Sequence, residues 1–516
     1  MVILEYGLTV STSDKHTDGL STEHLSADLK GRSIRGGLLT LASQGTQFFA
    51  SLAMTVVLAH MLTPVDFGLV AMVTAITGVG QAFADLGLSE ATIQHPDITH
   101  DQVSALFWIN SAIGLGLMLI TAALAPILAW FYHDPRLIAI TLVTSLVFLI
   151  GGLRVQPDAL LKRQMRFKSA AIRDIVGCVL GVLASIGMAL AGAGYWAIVA
   201  YPIVANLNCM VGSWLMVNWR PSLPSRDVEI RSLVTFGGGV AASYLIDSLK
   251  NNLSNVAIGW YWGAAPLGMF TRAYTLLMRP LNQLTGPAQG VVVPAFSRLH
   301  DDPDRFARYY LRTVSLIMWF AAPIFGFLFV AARPAIGLLL GHQWVGAVPV
   351  FEILAISAVP LLLVQSSYWV LVSRGESGRL LKLTLILFAV VIISLLVGLP
   401  FGINGVALCY SIALLVTLPW ALKLTFRDTN LTLGRLAQTL LYPISVSLVG
   451  VVFARLFLHL VAPQRAILQL LTVALAFVVT CAASALIPKV REEVLSFRDL
   501  IGVFGWPKRT VEVASL

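Results

Sequence analysis

The chain has 516 residues, of which 57% are hydrophobic and only 12% are charged, and its mean hydropathy is +0.82. An average soluble domain has about 25% charged residues, so this composition excludes an ordinary soluble protein and indicates a polytopic membrane protein. The net charge of +9 comes from basic residues scattered over short connections, which fits membrane topology better than a nucleic-acid-binding surface.

The chain begins with a polar segment, 1–36, which lacks the apolar core and cleavage site of a secretory signal peptide. A spanning helix needs about 20 mostly apolar residues, and segments of that kind follow one another through most of the chain. They predict an all-α integral membrane protein with about 14 transmembrane helices. The predicted spans are 37–61, 65–86, 103–129, 136–154, 171–192, 195–217, 233–259, 264–288, 308–331, 346–371, 380–399, 402–424, 436–459 and 464–487.

Two stretches of similar sequence suggest that the chain contains a repeat. "MLTPVDFGLV" begins at residue 61 and "YWGAAPLGMF" at residue 261, so that Gly68 and Gly268 occupy the same place. Repeated lobes around a central cleft are common among alternating-access carriers. We therefore expect two six-helix lobes around a central cavity, followed by two C-terminal helices. The predicted parts are a cytoplasmic N-terminal segment at 1–36, an N-lobe at 37–217, a C-lobe at 233–424, two further spans at 436–487 and a cytoplasmic tail at 488–516.

Lysine and arginine mark every second connection, which predicts that both termini are cytoplasmic. Positively charged connections stay on the cytoplasmic side of a membrane, whereas acidic residues have little influence on orientation. The acidic connection "SEATIQHPDITHDQ" on the same side therefore does not change the prediction. The basic residues on the predicted cytoplasmic side include Lys30, Arg32, Arg35, Arg154, Lys162, Arg163, Arg166, Lys168, Arg220, Arg298, Arg374, Arg379, Lys423, Arg427 and Arg435.

The seventh and eighth predicted spans carry polar side chains in apolar surroundings. Asp247, Lys250, Arg272 and Arg279 lie there, and an intramembrane charge usually marks a substrate pathway. We predict that the three cations bind an anionic guest, because arginine offers bidentate donors and lysine a point charge. Three simpler interpretations remain open: Asp247 neutralises Lys250, Arg279 bonds to carbonyls freed by Pro280, and the asparagines join helices.

Further polar residues are candidate cavity residues or candidate ion-coupling groups. Amides both donate and accept hydrogen bonds, so they can bind an uncharged polar guest. Asp247, Asp85 and Glu352 are the candidate charge partners or ion-coupling groups. The four cysteines show no metal-ligand spacing, so no metal site is expected. The candidate cavity amides are Asn251, Asn252, Asn255, Asn282, Gln44 and Gln47.

Several blocks of the sequence resemble the polysaccharide transport branch of the multidrug/oligosaccharidyl-lipid/polysaccharide (MOP) exporter superfamily, the Wzx-type flippases of the colanic-acid and succinoglycan exporter kind. The resemblance covers residues 35–425, although relatives often have an acidic residue where this chain has Ser254. The blocks that carry it are "LAHMLTPVDFGLVAMVTAI", "FADLGLSEATIQ", "VSALFWIN", "LAPILAWFYHDPRL", "PDALLKRQMRFK", "GAGYWAIVA" and the long run from "NNLSNVAIGWYWG" to "VVVPAFSRL".

The resemblance implies a flippase that moves an undecaprenyl-diphosphate-linked oligosaccharide across the bacterial inner membrane by alternating access, for exopolysaccharide, capsule or lipopolysaccharide O-antigen biosynthesis. The diphosphate of that cargo is then the anion expected at Lys250, Arg272 and Arg279, and its sugar hydroxyls are the groups expected at the candidate cavity amides. Membrane lipids, a polysaccharide polymerase and its chain-length machinery are the expected partners, with no nucleic acid. No catalytic residue and no cofactor are expected. Coupling to a proton gradient, coupling to a sodium gradient and drive by the membrane potential all stay open.

Three rival functions stay open at this point. A lipid II flippase shares the diphosphate of the cargo, and a drug/cation antiporter belongs to the same superfamily. The antiporter needs an acidic or aromatic cavity, whereas the second-lobe hairpin here is basic. A membrane glycan polymerase or ligase would use the same lipid-linked substrate, but it would need a larger outer loop than any in this sequence.

Overall fold

The structure is a computed structural model that describes residues 29–84, 87–95, 98–223, 248–249, 252–299, 302–461 and 464–491. Within these ranges nearly every residue is helical and no residue lies in a strand, which confirms the all-α prediction. The described residues up to Gly268 form one compact unit, and those from Met269 onward form a second. The predicted lobe boundaries stay a prediction.

The first unit contains seven named helices, a helical stretch at 252–262 and the first turn of an eighth helix, α8. The seven are α1 Leu29–Met61, α2 Pro64–Ala84, α3 Leu88–Gln94, α4 His100–Tyr132, α5 Arg136–Arg163, α6 Phe167–Leu190 and α7 Trp196–Met216.

The second unit contains the rest of α8, seven further helices and two short 3-10 helices at His342–Ala347 and Leu399–Phe401. The helices are α8 Ala264–Arg298, α9 Pro303–Val330, α10 Ala332–Leu339, α11 Val348–Ser373, α12 Ser377–Gly398, α13 Gly402–Phe426, α14 Leu433–Val461 and α15 Ala466–Ser484.

Length and hydropathy identify ten candidate membrane spans among the described residues, so the chain is a multi-pass membrane protein. One of the ten is a 50-residue stretch, Ser377–Phe426. A straight helix of that length would extend about 75 Å, far beyond a hydrocarbon core of about 30 Å. The 3-10 turn and Gly402, whose φ is 78°, separate α12 from α13 within it. The predicted total of fourteen spans stays a prediction.

The connection after the second predicted span contains a buried helix, α3, where the sequence indicated an acidic loop. Leu88 and Ala91 of α3 belong to a hydrophobic cluster that includes Leu160 of α5. The hydroxyl of Thr92 donates a hydrogen bond to Gln156 Oε1 at 2.8 Å, and both residues are fully buried. The apolar residues of α3 therefore attach this acidic connection to α5.

Arg163, at the last position of α5, caps the C-terminal end of α3. It is 7% exposed, and its Nη1 donates to the carbonyl oxygens of Thr92 at 3.0 Å and His95 at 2.6 Å. These carbonyls have no partner within their own helix, and a cation favours the negative end of the helix dipole.

We expect Arg163→Met to lower the free energy of unfolding by about 1–2 kcal/mol, because it leaves buried carbonyl oxygens of α3 without a donor. Denaturant or thermal unfolding of the purified protein in nanodiscs measures this. Lys162→Met is the control, since Lys162 is the exposed neighbour in the same helix. An equal loss of stability in both variants would contradict the capping role.

The two helices that follow the predicted C-lobe pack against α9 in the second unit. The hydroxyl of Ser447 in α14 donates to the Ala322 carbonyl oxygen of α9 at 2.6 Å. The ring of Phe477 in α15 lies beside Gly326 and Gly450, where a Cβ atom would come within 3.1 Å and 2.9 Å of it. Small residues thus let these helices approach closely, as is usual in membrane bundles.

Candidate functional site

Four predicted site residues lie outside the residues that the structure describes. They are Asp85, Asp247, Lys250 and Asn251. Their assigned roles stay predictions.

The two predicted arginines of the second unit lie on α8. Arg272 and Arg279 are half-buried and are separated by seven positions, which is two helical turns and about 10 Å along the axis. They therefore share one face of the helix and repel each other electrostatically. Asn282, one turn after Arg279, is exposed on that face. The helix thus places two cations and an amide in line, with a spacing that suits the separate groups of an extended anion.

Asn252 lies at a contact between helices in the first unit. Its Nδ2 donates to the Ser248 carbonyl oxygen at 2.9 Å, and the Ser248 hydroxyl donates to the Gly78 carbonyl oxygen of α2 at 2.8 Å. A Cβ atom at Gly78 would lie 3.1 Å from Asn252 Nδ2. This placement matches the simpler interpretation of an amide that joins helices. Asn255 is half-buried on the same helical stretch.

The remaining predicted residues lie on α1 in the first unit and on α11 in the second. Gln44 is exposed on α1, and Gln47 Nε2 donates to the Ser43 hydroxyl one turn earlier at 3.0 Å. Glu352 is half-buried near the start of α11 in the second unit.

A buried ionic network that was not predicted from the sequence joins α5, α6 and α7 in the first unit. Asp158 accepts hydrogen bonds from Arg154 Nε at 2.6 Å, from Arg173 Nη1 and from the Ser213 hydroxyl. Arg173 also donates from Nη2 to Asp174 Oδ1 at 2.7 Å. The Arg173 side chain is 5% exposed and that of Asp158 is 15% exposed. Two cations and two anions therefore balance one another inside an apolar bundle.

The sequence predicts a basic cytoplasmic connection after the fourth span, with Arg154, Lys162 and Arg163 in it. In the structure α5 continues to Arg163, so these three residues are helical. Burial of Arg154 within a helix is tolerated because Asp158, one turn later, neutralises it. The spacing of four residues between these two was the available signal. The sequence gives no comparable signal for Arg173 of α6 and Ser213 of α7, because both are distant from Asp158 along the chain.

No group of three or more metal-ligating side chains that could hold an ion occurs in the described part of the chain. The four cysteines are free, two of them buried. Four ionisable groups of the first unit, Arg154, Asp158, Arg173 and Asp174, are paired with one another, and this arrangement suits charge balance and helix registry.

The sequence of the chain matches a known protein family. The profile of a family described as "Polysaccharide biosynthesis protein" matches residues 57–349, more than half of the chain. The teichuronic acid biosynthesis protein TuaB of Bacillus subtilis (strain 168) is 24% identical over 355 residues, which cover 65% of this chain and 71% of that protein.

Two further relatives are named for polysaccharide export or biosynthesis. The succinoglycan biosynthesis transport protein ExoT of Rhizobium meliloti (strain 1021) is 26% identical over 62% of this chain and 65% of its own length. The lipopolysaccharide biosynthesis protein WzxC of Escherichia coli (strain K12) is 23% identical over 58% of this chain and 61% of its own length. The matched regions thus span less than two thirds of these two relatives.

Solved structures share the fold at low sequence identity. The lipid II flippase MurJ in an inward closed conformation aligns with a TM-score of 0.70 at 13% identity, covering 90% of this chain and 99% of that one. An inward-facing multidrug resistance transporter of the MATE family, in the MOP superfamily, aligns with a TM-score of 0.57 at 12% identity, covering 74% of this chain and 96% of that one. The predicted membrane-transporter fold is therefore confirmed.

Proposed function

Since the chain belongs to the family of polysaccharide biosynthesis proteins, we propose that it is a flippase for an undecaprenyl-diphosphate-linked oligosaccharide repeat unit. It would carry this cargo from the inner to the outer leaflet of the bacterial inner membrane for exopolysaccharide, capsule or O-antigen biosynthesis. Both termini are cytoplasmic in this proposal, because lysine and arginine cluster on alternate connections.

The observation that carries the proposal is the pair of cations on α8, together with the family match. Arg272 and Arg279 are half-buried on α8, and an intramembrane charge costs about 2.5–3.5 kcal/mol on insertion scales. A guest with two linked phosphates would offset that cost, because guanidinium groups bind phosphate oxygens through bidentate hydrogen bonds. The exposed amide of Asn282, one turn further, suits the sugar hydroxyls beside the diphosphate.

In this proposal other proteins form and break the bonds of the glycan. Transport requires binding and release of an unchanged cargo, so the residues on α8 act as ligands of the diphosphate without breaking a bond. A glycosyltransferase supplies the lipid-linked unit, and a polymerase with its chain-length machinery consumes it. Coupling to a proton or sodium gradient belongs to the same proposal, with Glu352, Asp85 and Asp247 as its candidate groups.

Expression in a strain that lacks its own exporter tests the proposal. We expect the lipid-linked repeat units that accumulate in the inner leaflet to appear in the outer leaflet, where an added impermeant glycosidase releases their sugars. Rescue of a strain without a peptidoglycan-precursor flippase would instead support the lipid II alternative. Increased drug efflux alone would support an antiporter, and longer glycan chains without a change of leaflet would support a polymerase.

A further inference from the structure

The second half of α14 carries two basic side chains on a face that is mostly apolar. Arg455 and His459 are exposed and lie one helical turn apart. Leu441, Leu448 and Val452 share this face with them, because the steps along the chain from Leu441 to His459 are seven, four, three and four residues. These three apolar residues are 58%, 59% and 67% exposed, and α14 is a candidate membrane span, so the face contacts lipid.

The position of Arg455 within the span is unusual for a cation. The helix ends at Val461, so Arg455 lies about 9 Å from that end along the axis. The basic residues Lys423, Arg427 and Arg435 precede the span, which predicts that its far end is on the outer side. Lysine and arginine favour the cytoplasmic side, and a charge that faces lipid costs free energy. Arg455 therefore needs an interaction that offsets this cost.

An aromatic ring of a neighbouring helix holds the Arg455 side chain. Its Cζ lies 4.8 Å from the centroid of the Phe329 ring of α9. Stacking on the face of a ring orients a guanidinium group and leaves the N–H groups at its edge able to donate. Among the described residues, none forms an ion pair or a hydrogen bond with the Arg455 side chain. Phe329 thus positions the cation without neutralising it.

The outer connections of the second unit add basic residues to this end of α14. The three connections are 331–347, 399–402 and 462–465. They contain Arg333, His342 and Arg465 and neither aspartate nor glutamate. Arg465 is exposed at the N-terminal end of α15, directly after the connection from α14. The acid nearest to these connections along the chain is Glu352, which is half-buried in α11. The electrostatic potential at this end of the second unit therefore favours an anion.

We propose that Arg455 and His459 bind the headgroup of phosphatidylglycerol, an anionic phospholipid, in the outer leaflet. The edge of the guanidinium group offers two parallel N–H donors to the phosphate oxygens, and an imidazole N–H of His459 offers a third donor one turn further out. The acyl chains lie along the apolar face of α14, and Arg465 adds positive charge at the level of the headgroup. The lipid neutralises Arg455, which in turn connects the lipid to α9 through Phe329.

The chemistry of this face favours phosphatidylglycerol over two other lipids. Phosphatidylethanolamine has the same phosphate, but Arg455 and Arg465 repel its ammonium group. A lipid diphosphate is better matched by two guanidinium groups, as at Arg272 and Arg279 of α8, whereas this face of α14 has one. The inference goes beyond the proposed function, because a phospholipid that stays in its leaflet is not a cargo.

Native mass spectrometry of the purified full chain, with phosphatidylglycerol or phosphatidylethanolamine added, tests the proposal. We expect Arg455→Gln to raise the dissociation constant of the tightest-bound phosphatidylglycerol about tenfold, because charge-assisted hydrogen bonds are lost. Arg455→Lys should raise it less, since lysine keeps the charge but not the bidentate geometry. Arg136→Gln is the matched control, because Arg136 is an exposed arginine of an outer connection that already pairs with Asp134. Its dissociation constant should equal that of the wild type.

Three results would overturn the proposal. The first is an equal dissociation constant for the Arg455→Gln and Arg136→Gln variants, which would make Arg455 a side chain that only packs on Phe329. The second is equal binding of phosphatidylglycerol and phosphatidylethanolamine by the wild type, which would remove the selection by charge. The third is tighter binding of undecaprenyl phosphate than of phosphatidylglycerol at Arg455, which would make this face of α14 a site for an isoprenoid lipid.

Thermal unfolding of the wild-type chain guards against variants that fail to fold. In nanodiscs of phosphatidylethanolamine, we expect added phosphatidylglycerol to raise the unfolding temperature, because a ligand that binds only the folded state stabilises it. The rise should diminish at high salt, which screens an exposed charge pair. An unfolding temperature that does not change with phosphatidylglycerol would contradict the site. None of these measurements involves a glycan, so their outcome is separate from that of the proposed function.

Discussion

Replacing Asp158 with alanine is expected to lower the free energy of unfolding of the first unit by about 3–5 kcal/mol, the largest stability effect we expect of a single substitution. The carboxylate accepts hydrogen bonds from Arg154 and Arg173, and both cations would stay inside an apolar bundle without it. Asp158→Asn should lie between the wild type and alanine, because the amide oxygen still accepts a hydrogen bond while the charge is lost.

Thermal unfolding of the purified protein in nanodiscs measures this effect. Asp134→Ala is the control, because Asp134 pairs with Arg136 at 2.7 Å in a connection where the arginine side chain is 49% exposed. Exposed ion pairs contribute about 0.2–1 kcal/mol, so this variant should unfold close to the wild type. If Asp158→Ala were as stable as Asp134→Ala, the network would not hold α5, α6 and α7 together.

Replacing Arg272 and Arg279 together with alanine is expected to reduce transport of lipid-linked oligosaccharide at least tenfold. A charge-assisted hydrogen bond contributes about 1.5–3 kcal/mol, and a factor of ten corresponds to about 1.4 kcal/mol, so loss of one such bond already exceeds tenfold. Lysine at both positions should restore part of the activity, since it keeps the charge but not the bidentate geometry.

The leaflet distribution of lipid-linked repeat units, normalised to the amount of inserted protein, measures the loss. Arg298→Ala is the matched control, because Arg298 is an exposed arginine at the last position of the same helix. It should transport like the wild type. Normal transport by the Arg272→Ala/Arg279→Ala variant would contradict the role of α8 in holding the diphosphate.

The fold class was predictable because hydropathy alone determines which segments can enter a bilayer. The long apolar helices α4 to α7 overlap four predicted spans, and only their ends differ. The end of α5 was misplaced because a hydropathy window interprets Arg154 as a loop charge. The window does not detect that Asp158 pairs with Arg154 and also with Arg173.

The candidate site was predictable only in part. The arginines of α8 were identified because a charge in an apolar segment stands out, whereas the place of Asn252 beside Gly78 depends on which face of its helix meets α2. The repeat indicated that Gly68 and Gly268 are equivalent positions. Their contact with each other's helix required coordinates, because equivalence along a sequence does not determine distance in space.

Reconstitution of the purified chain into proteoliposomes with a fluorescent undecaprenyl-diphosphate oligosaccharide tests the central claim most directly. We predict that the chain moves the labelled lipid between leaflets, so that an impermeant quencher removes all of its fluorescence. Liposomes with the Arg272→Ala/Arg279→Ala variant should retain the fraction that faces inward. Equal retention with the wild-type chain and with empty liposomes would contradict the assignment as a flippase for this cargo.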